Sequence, residues 1–108
     1  MPFGYIYKIV FPHGKHYIGI TSRSLEQRRK EHKKYAKSGD ERWLYNAIRK
    51  YGMADTLELI EIDTANAKDK LCEKEIHYIK EYKSYYMDGN GYNMTLGGDG
   101  LNGYVFTE

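Results

Sequence analysis

The stretch that decides the fold reads Tyr-Ile-Tyr-Lys-Ile-Val-Phe at residues 5–11, followed after a Pro-His-Gly-Lys break by His-Tyr-Ile-Gly-Ile at residues 16–20. Both segments are rich in β-branched and aromatic residues, and together they predict a β-hairpin. Because side chains alternate along a strand, Tyr5 and Tyr7 fall on one face of the first strand. Gly19 has no side chain to pack, which in a strand usually marks a bulge or a group packed close to the backbone.

Downstream of the hairpin, the sequence switches between helical and strand patterns. Ser24 begins a capping box that starts a first helix, and the apolar spacing predicts a second helix over residues 40–51. Residues 56–62 predict a third strand, and residues 65–83 predict a third helix. The order β-β-α-α-β-α therefore predicts an α+β domain in which helices flank a three-stranded antiparallel sheet.

The first and third predicted helices carry charged or polar groups on their inward faces. Glu75 lies in the middle of the apolar stripe of the third helix, whereas Glu73 faces water. Arg28 and His32 lie in the inward stripe of the first helix. A carboxylate on a buried face is costly to desolvate unless a cation, a metal or a hydrogen-bond donor compensates it. A functional site and a structural ion pair between Arg28 and Glu75 are both compatible with this pattern.

Composition narrows the class of protein. The chain has 108 residues, 41% hydrophobic and 30% charged, which suits one globular domain rather than a disordered segment. Its single cysteine, Cys72, excludes a disulfide framework and a cysteine-based zinc site. No apolar run is long enough to cross a bilayer and the first residues do not resemble a signal peptide, so we expect an intracellular protein that is not secreted.

Charge is distributed unevenly along the chain. Residues 1–52 contain 12 Lys/Arg and 4 Asp/Glu, a net charge of +8, whereas residues 53–108 contain 5 and 11, a net charge of −6. The strongest cluster runs from Arg23 to Lys37. This distribution favours a polyanionic partner, although a solvated basic helix is the alternative that charge alone leaves open.

The inward polar residues are of the types that phosphodiester hydrolysis uses. A carboxylate can hold a divalent cation that polarises a phosphoryl oxygen, and an arginine can stabilise the charge of the transition state. A tyrosine or histidine can take a proton from the attacking water. Half-buried core tyrosines are the structural alternative. The candidates are Tyr5, Tyr7, Tyr17, Arg28, His32 and Glu75.

The order of these motifs resembles the GIY-YIG nuclease family. Gly-Tyr-Ile-Tyr at residues 4–7 and Tyr-Ile-Gly at residues 17–19 precede Arg28-x-x-x-His32, Glu75 on a helix and Gly-Tyr-Asn at residues 91–93. The stretch 91–100 most resembles phage, viral and intron-encoded homing endonucleases. In those proteins a DNA-recognition domain usually follows the nuclease domain, so residues 1–108 are expected to be a catalytic domain taken from a longer chain.

The resemblance implies a metal-dependent endonuclease acting on double-stranded DNA. Glu75 would bind one divalent cation, Mg²⁺ or Mn²⁺, and Arg28 would contact the scissile phosphate. Tyr17 and His32 would position phosphate and water, and Asn93 would orient the site through hydrogen bonds. An inactive DNA-binding or regulatory module and a structure-specific repair nuclease are the alternatives, and a monomer is the expectation for the isolated domain.

The first motif leaves the identity of the general base open. It has one extra residue, Gly-Tyr-Ile-Tyr instead of Gly-Ile-Tyr, so Tyr5 and Tyr7 are both candidates, and alignment on the strand favours Tyr7. Gly19 would permit close packing near this tyrosine. The residues expected to hold the DNA backbone are Arg23, Arg29, Lys30, Lys33 and Lys34.

Overall fold

Three strands form one antiparallel sheet in the order β2-β1-β3, in a computed structural model that describes residues 2–85, 87 and 91–93, with the backbone alone at residue 13. The predicted α+β architecture and the order β-β-α-α-β-α are confirmed. The elements are β1 (Gly4–Val10), β2 (His16–Thr21), α1 (Leu25–Lys37), α2 (Trp43–Lys50), β3 (Ile60–Ala65) and α3 (Lys68–Tyr82), with one 3₁₀ turn at Pro12–Gly14. Among the described residues, no helix has the length and apolar character needed to cross a membrane.

The sheet is covered on both faces because the apolar side chains of β1 alternate. Tyr7 and Ile9 pack with α1 and α2 in one core cluster. Ile6 packs on the opposite face with Ile18 of β2 and with α3 in a second cluster. The central strand β1 therefore contributes to both cores, and Tyr7 lies on the face that α1 covers. The candidate Glu75, in contrast, comes from α3 on the other face.

The third strand lies later in the sequence than the predicted 56–62. Leu57 and Leu59 are buried in the core, but they precede the strand in a connecting segment. The hydrogen-bonded partner of β1 is Ile60–Ala65, which includes the polar pair Asp63 and Thr64. The alternating burial of Leu57 and Leu59 gives these residues the sequence pattern of a strand. The observed strand is instead defined by its backbone pairing with β1, which sequence periodicity does not reveal.

The second and third helices are shorter than predicted, and local hydrogen bonds explain where the second one begins. The carboxylate of Asp40 accepts hydrogen bonds from the backbone and the guanidinium of Arg42, so residues 40–42 stay outside the helix and α2 begins at Trp43. The third helix begins at Lys68 instead of residue 65 because Ala65 still belongs to β3. Residues 94–100, which carry part of the family resemblance, lie outside the described residues.

Candidate active site

Tyr7 occupies a slot that Gly19 creates. The two residues are directly opposite in the β1–β2 pairing, and the Tyr7 side chain is fully buried. A Cβ atom on Gly19 would lie 2.3 Å from both Cζ and the hydroxyl oxygen of Tyr7, which is far inside van der Waals contact. The missing side chain of Gly19 therefore allows the tyrosine ring to cross the neighbouring strand towards α1.

His32 is held between two tyrosine hydroxyls. Its Nε2 atom lies 2.7 Å from the hydroxyl oxygen of Tyr7, and its Nδ1 atom lies 2.9 Å from that of Tyr45. The side chain is fully buried on α1. Burial, reinforced by the positive charges of Arg28 and Arg42, lowers the pKa of His32 to about 3. His32 is therefore a neutral imidazole near neutral pH, with one N–H and one lone pair in its ring plane.

Arg28 lies beside Tyr7 and reaches the surface. Its side chain is 25% exposed, its Nη1 atom lies 2.9 Å from Oε1 of Glu31, and its positive charge interacts with the hydroxyl of Tyr7. Burial opposes the charged form of Arg28, but Tyr7 and Glu31 outweigh this effect and raise its pKa. Burial also raises the pKa of Tyr7 well above its usual range, with a further contribution from Tyr17, although Arg28 partly offsets both. A neutral phenol and a permanent cation therefore lie side by side.

Tyr17 connects this cluster to α3. Its ring centroid lies 6.5 Å from that of Tyr7 and 6.1 Å from that of His32, in an edge-on arrangement with the histidine. Burial and then the negative charge of Glu75 raise the pKa of Tyr17 to about 12. The carboxylate of Glu75 is half-buried, whereas Glu73 on the same helix is exposed, in keeping with the periodicity of the sequence. The hairpin, α1 and α3 thus contribute to one polar cluster.

Asn93 fixes the free edge of β2. Its Oδ1 atom accepts hydrogen bonds from the backbone N–H of Ile18 at 2.8 Å and from the hydroxyl of Ser84 at 2.7 Å, and its Nδ2 atom donates to the carbonyl of Ile18 at 2.8 Å. The amide therefore replaces a neighbouring strand for the residue that lies between Tyr17 and Gly19. This arrangement holds the β2 segment that carries two candidate site residues.

The remaining candidates lie around this cluster. Tyr5 is half-buried, pairs with Thr21 and Thr64 through the backbone, and forms none of the hydrogen bonds that join Tyr7 to α1. Arg23 forms an ion pair with Glu31 at 2.7 Å.

The basic face of α1 contains both paired and unpaired cations. Arg29 donates two hydrogen bonds to Glu26, at 3.0 and 2.8 Å. In the part of the chain that the structure describes, no carboxylate lies within ion-pair distance of the lysines of this face, Lys30, Lys33 and Lys34. The lysines are therefore available to a ligand at less cost than the arginines.

Tyr45 is the site residue that the sequence did not indicate. It is only 3% exposed, it hydrogen-bonds to His32, and the guanidinium of Arg42 lies 4.9 Å from the centre of its ring. The apolar spacing of α2 identifies Leu44 and Ile48 as core positions, but nothing in that spacing selects the tyrosine between them. The one available signal is a phenol hydroxyl on a helix that packs against the helix carrying His32.

Comparison with known proteins identifies the family of this chain. The family model for the GIY-YIG catalytic domain matches residues 3–93, which include every candidate catalytic side chain described above. A search of curated protein sequences found no match, and neither did a search of solved structures. The matched region spans all strands and helices of the sheet domain and implies nuclease activity on DNA in general. The chain therefore belongs to the GIY-YIG nuclease family.

Proposed function

We propose that this chain is a metal-dependent endonuclease that hydrolyses DNA phosphodiester bonds at the cluster formed by the hairpin, α1 and α3. The observation that carries the proposal is the buried hydrogen bond between Tyr7 and the neutral His32, directly beside the cation of Arg28. The combination supplies a proton path and a positive charge at one point. Both are needed when water attacks a phosphodiester.

Arg28 is suited to hold the scissile phosphate. Its side chain is partly exposed, so a phosphate oxygen can approach it from solvent, yet its inner side is fixed by Tyr7 and Glu31. A preorganised guanidinium stabilises the additional negative charge of the transition state without having to reorganise at that moment. Because Arg28 lies beside Tyr7, a phosphate bound to it would be next to the residue that we propose as proton acceptor.

Tyr7 would act as the general base by exchanging protons with His32. The raised pKa of Tyr7 leaves no standing phenolate near neutral pH, so the phenol oxygen must accept the proton of water while its own proton moves to Nε2 of His32. The positive charge of Arg28 is one of the causes that lower the pKa of His32. A bound phosphate would neutralise that charge and make the imidazole a better proton acceptor in the complex than in the free protein.

Glu75 is the candidate ligand for a divalent cation. Among the described residues no three His, Cys, Asp or Glu side chains come together, so a cage built from protein ligands alone does not fit this part of the chain. One carboxylate does fit Mg²⁺ or Mn²⁺, because such ions retain waters and are commonly held by one or two carboxylates together with substrate phosphates. When bound, the ion would polarise a phosphoryl oxygen. The effect of Glu75 on Tyr17 indicates that its charge is felt within the cluster.

The basic face of α1 would hold the DNA backbone beside this centre. Lys30, Lys33 and Lys34 lie on the helix that carries Arg28 and His32, so phosphates on either side of the scissile bond are within the reach of the same element. Such contacts carry no sequence information and weaken steeply with salt. A homing-endonuclease role is part of the proposal, and its support is the resemblance of residues 91–100 to that subfamily.

A supercoiled-plasmid nicking assay at low salt tests the proposal. We expect nicking with Mg²⁺ or Mn²⁺, none with EDTA, and a loss of about 100-fold or more in Glu75→Gln. Glu73→Gln is the matched control, because it removes an exposed carboxylate from the same helix and should nick at the wild-type rate.

Three outcomes would contradict the proposal in different ways. Salt-sensitive DNA binding by a folded protein that never nicks would favour the inactive module. Cleavage confined to branched or damaged DNA would favour a structure-specific repair nuclease. Equal nicking rates with EDTA and with Mg²⁺ would show that cleavage does not depend on a divalent metal ion.

A further inference from the structure

A groove between α2 and the start of β2 combines aromatic and basic side chains. It has a volume of about 260 Å³, and its aromatic lining consists of Trp43, Tyr51 and Tyr92. Lys15 and Lys50 supply its charge, and its other lining residues are uncharged. The Trp43 side chain is 47% exposed, although tryptophan is a residue that folded proteins bury to a large extent. The groove therefore presents a large flat ring to solvent beside two cations.

The two walls of the groove are fixed by the fold. Trp43 and Lys50 lie seven residues apart, on one face of α2. On the opposite wall, the backbone N–H of Tyr92 donates a hydrogen bond to the carbonyl of His16 at 3.0 Å. The ring of Tyr92 packs edge-on against Phe11, with the ring centres 4.7 Å apart. The rings are thus held in place before a ligand arrives, which lowers the entropic cost of binding a flat group.

The charge of the groove is not neutralised by nearby acids. The Nζ atom of Lys15 lies 5.6 Å from the centre of the Tyr92 ring, and that of Lys50 lies 5.4 Å from the centre of the Tyr51 ring. Within the described residues, neither lysine has a carboxylate within ion-pair distance. Exposed rings beside unpaired cations are the combination that binds single-stranded nucleic acid, because bases stack on the rings and phosphates pair with the cations.

The groove adjoins the candidate active site through two shared elements. The helix α2 lines the groove and also carries Tyr45, whose hydroxyl lies 2.9 Å from Nδ1 of His32. Lys15 precedes Tyr17 by two residues at the start of β2. A strand of DNA bound at the cluster can therefore continue along the same two elements into the groove.

We propose that this groove binds an unpaired stretch of the DNA substrate, with a base stacked on Trp43 and phosphates held by Lys15 and Lys50. The inference rests on the proposed nuclease function, which identifies the ligand as DNA. In a duplex the faces of the bases are stacked on one another and cannot reach the ring of Trp43. The groove therefore favours a strand that is locally unpaired, whereas the basic face of α1 contacts the phosphates of either form.

The fluorescence of Trp43 tests the proposal directly, because it is the only tryptophan of the chain. The probe is a single-stranded oligothymidylate of about 12 nucleotides, a length within the range that such binding sites cover. It is titrated in EDTA at low salt, so that binding is measured without cleavage. We expect it to quench the tryptophan, whereas a blunt hairpin duplex with the same number of phosphates should bind without quenching.

Substitutions separate stacking from charge. Trp43→Ala should weaken binding of a dye-labelled oligothymidylate by about tenfold or more and leave binding of the hairpin unchanged. Phe3→Ala is the matched control, because Phe3 is 43% exposed but does not line the groove, and its affinity should equal that of the wild type.

The two lysines of the groove are tested by salt dependence. Lys15→Ala with Lys50→Ala should make the slope of log K for the oligothymidylate against log salt shallower by about 1.4, because each phosphate contact to a single strand contributes about 0.7. Lys68→Ala with Lys80→Ala is the matched control. It removes the same charge from exposed positions on α3 and should leave the slope unchanged.

The outcomes distinguish this inference from the proposed function. Tryptophan fluorescence that does not change at saturation with the oligothymidylate, or that the hairpin quenches equally, would overturn the inference. An equal loss of affinity in Trp43→Ala and Phe3→Ala would overturn it as well. Specific quenching by the single strand in a protein that never nicks plasmid DNA would support the groove and count against the nuclease. Metal-dependent nicking without quenching would support the nuclease and count against the groove.

Discussion

Replacing Gly19 by alanine tests the packing on which the site depends. The new Cβ atom would lie 2.3 Å from both Cζ and the hydroxyl oxygen of Tyr7, against a favourable carbon contact of about 3.5 Å or more. The buried ring of Tyr7 must then move by about 1 Å, or the strand must shift. Overpacking costs about 1–3 kcal/mol, and losing the hydrogen bond to His32 adds about 1 kcal/mol. We therefore expect the free energy of unfolding to fall by about 2–4 kcal/mol.

In Gly19→Ala, the rate of DNA nicking should fall by a larger factor than the free energy of unfolding alone would suggest. A shift of about 1 Å would remove the Tyr7 hydroxyl from its 2.7 Å contact with His32, and misplacement on that scale costs about 100-fold in rate. Gly4→Ala is the matched control, because its Cβ would meet Leu71 Cδ2 at 2.6 Å and the backbone carbonyl oxygen of Thr21 at 2.7 Å, and neither residue is a candidate catalytic residue. Its stability should fall while its nicking rate is retained. We would measure stability by urea unfolding, and nicking rates at a temperature where both variants stay folded. A Gly19→Ala protein with wild-type stability and a wild-type nicking rate would refute the reasoning.

Three further predictions follow from contacts around the cluster. Asn93→Ala removes three side-chain hydrogen bonds at the edge of β2, so the free energy of unfolding measured in urea should fall by about 3 kcal/mol. The folded pKa of His32 is about 3 against an ordinary 6.5, so the unfolded chain takes up a proton first as pH falls through that window. Stability should then drop by at most about 1.4 kcal/mol per pH unit below 6.5, and by less in His32→Gln. Lys30→Ala with Lys34→Ala should leave the melting temperature unchanged and make the slope of log K for DNA against log salt shallower by about 2.

Most of the fold and much of the cluster could be predicted because both depend on short-range periodicity. Alternation along β1 places Tyr5 and Tyr7 on one face of the strand, and the helical period places His32 inward and Glu73 outward. The structure brings together Tyr7, Tyr17, Arg28 and His32, which the sequence identified from three separate elements.

The parts that escaped prediction depend on contacts between elements distant in sequence. The strand β3 contains Asp63, whose carboxylate accepts hydrogen bonds from Lys74 and Tyr78 of α3, so a polar segment becomes a strand that the leucines before it do not. The hydrogen bond between His32 and Tyr45 joins two different helices, so no periodic pattern within one helix predicts it. Predicting either contact requires knowing how the helices pack in three dimensions.

The measurement that tests the central claim most directly compares two single-hydroxyl deletions in the first strand. Tyr7→Phe and Tyr5→Phe both lie on β1, but only the first removes the hydroxyl that contacts His32 and Arg28. Under single-turnover conditions with Mg²⁺, we expect Tyr7→Phe to cleave plasmid DNA about 100-fold or more slowly than the wild type, and Tyr5→Phe to stay within about threefold. A Tyr7→Phe protein that cleaves at the wild-type rate, or a Tyr5→Phe protein that shows the loss instead, would contradict the account.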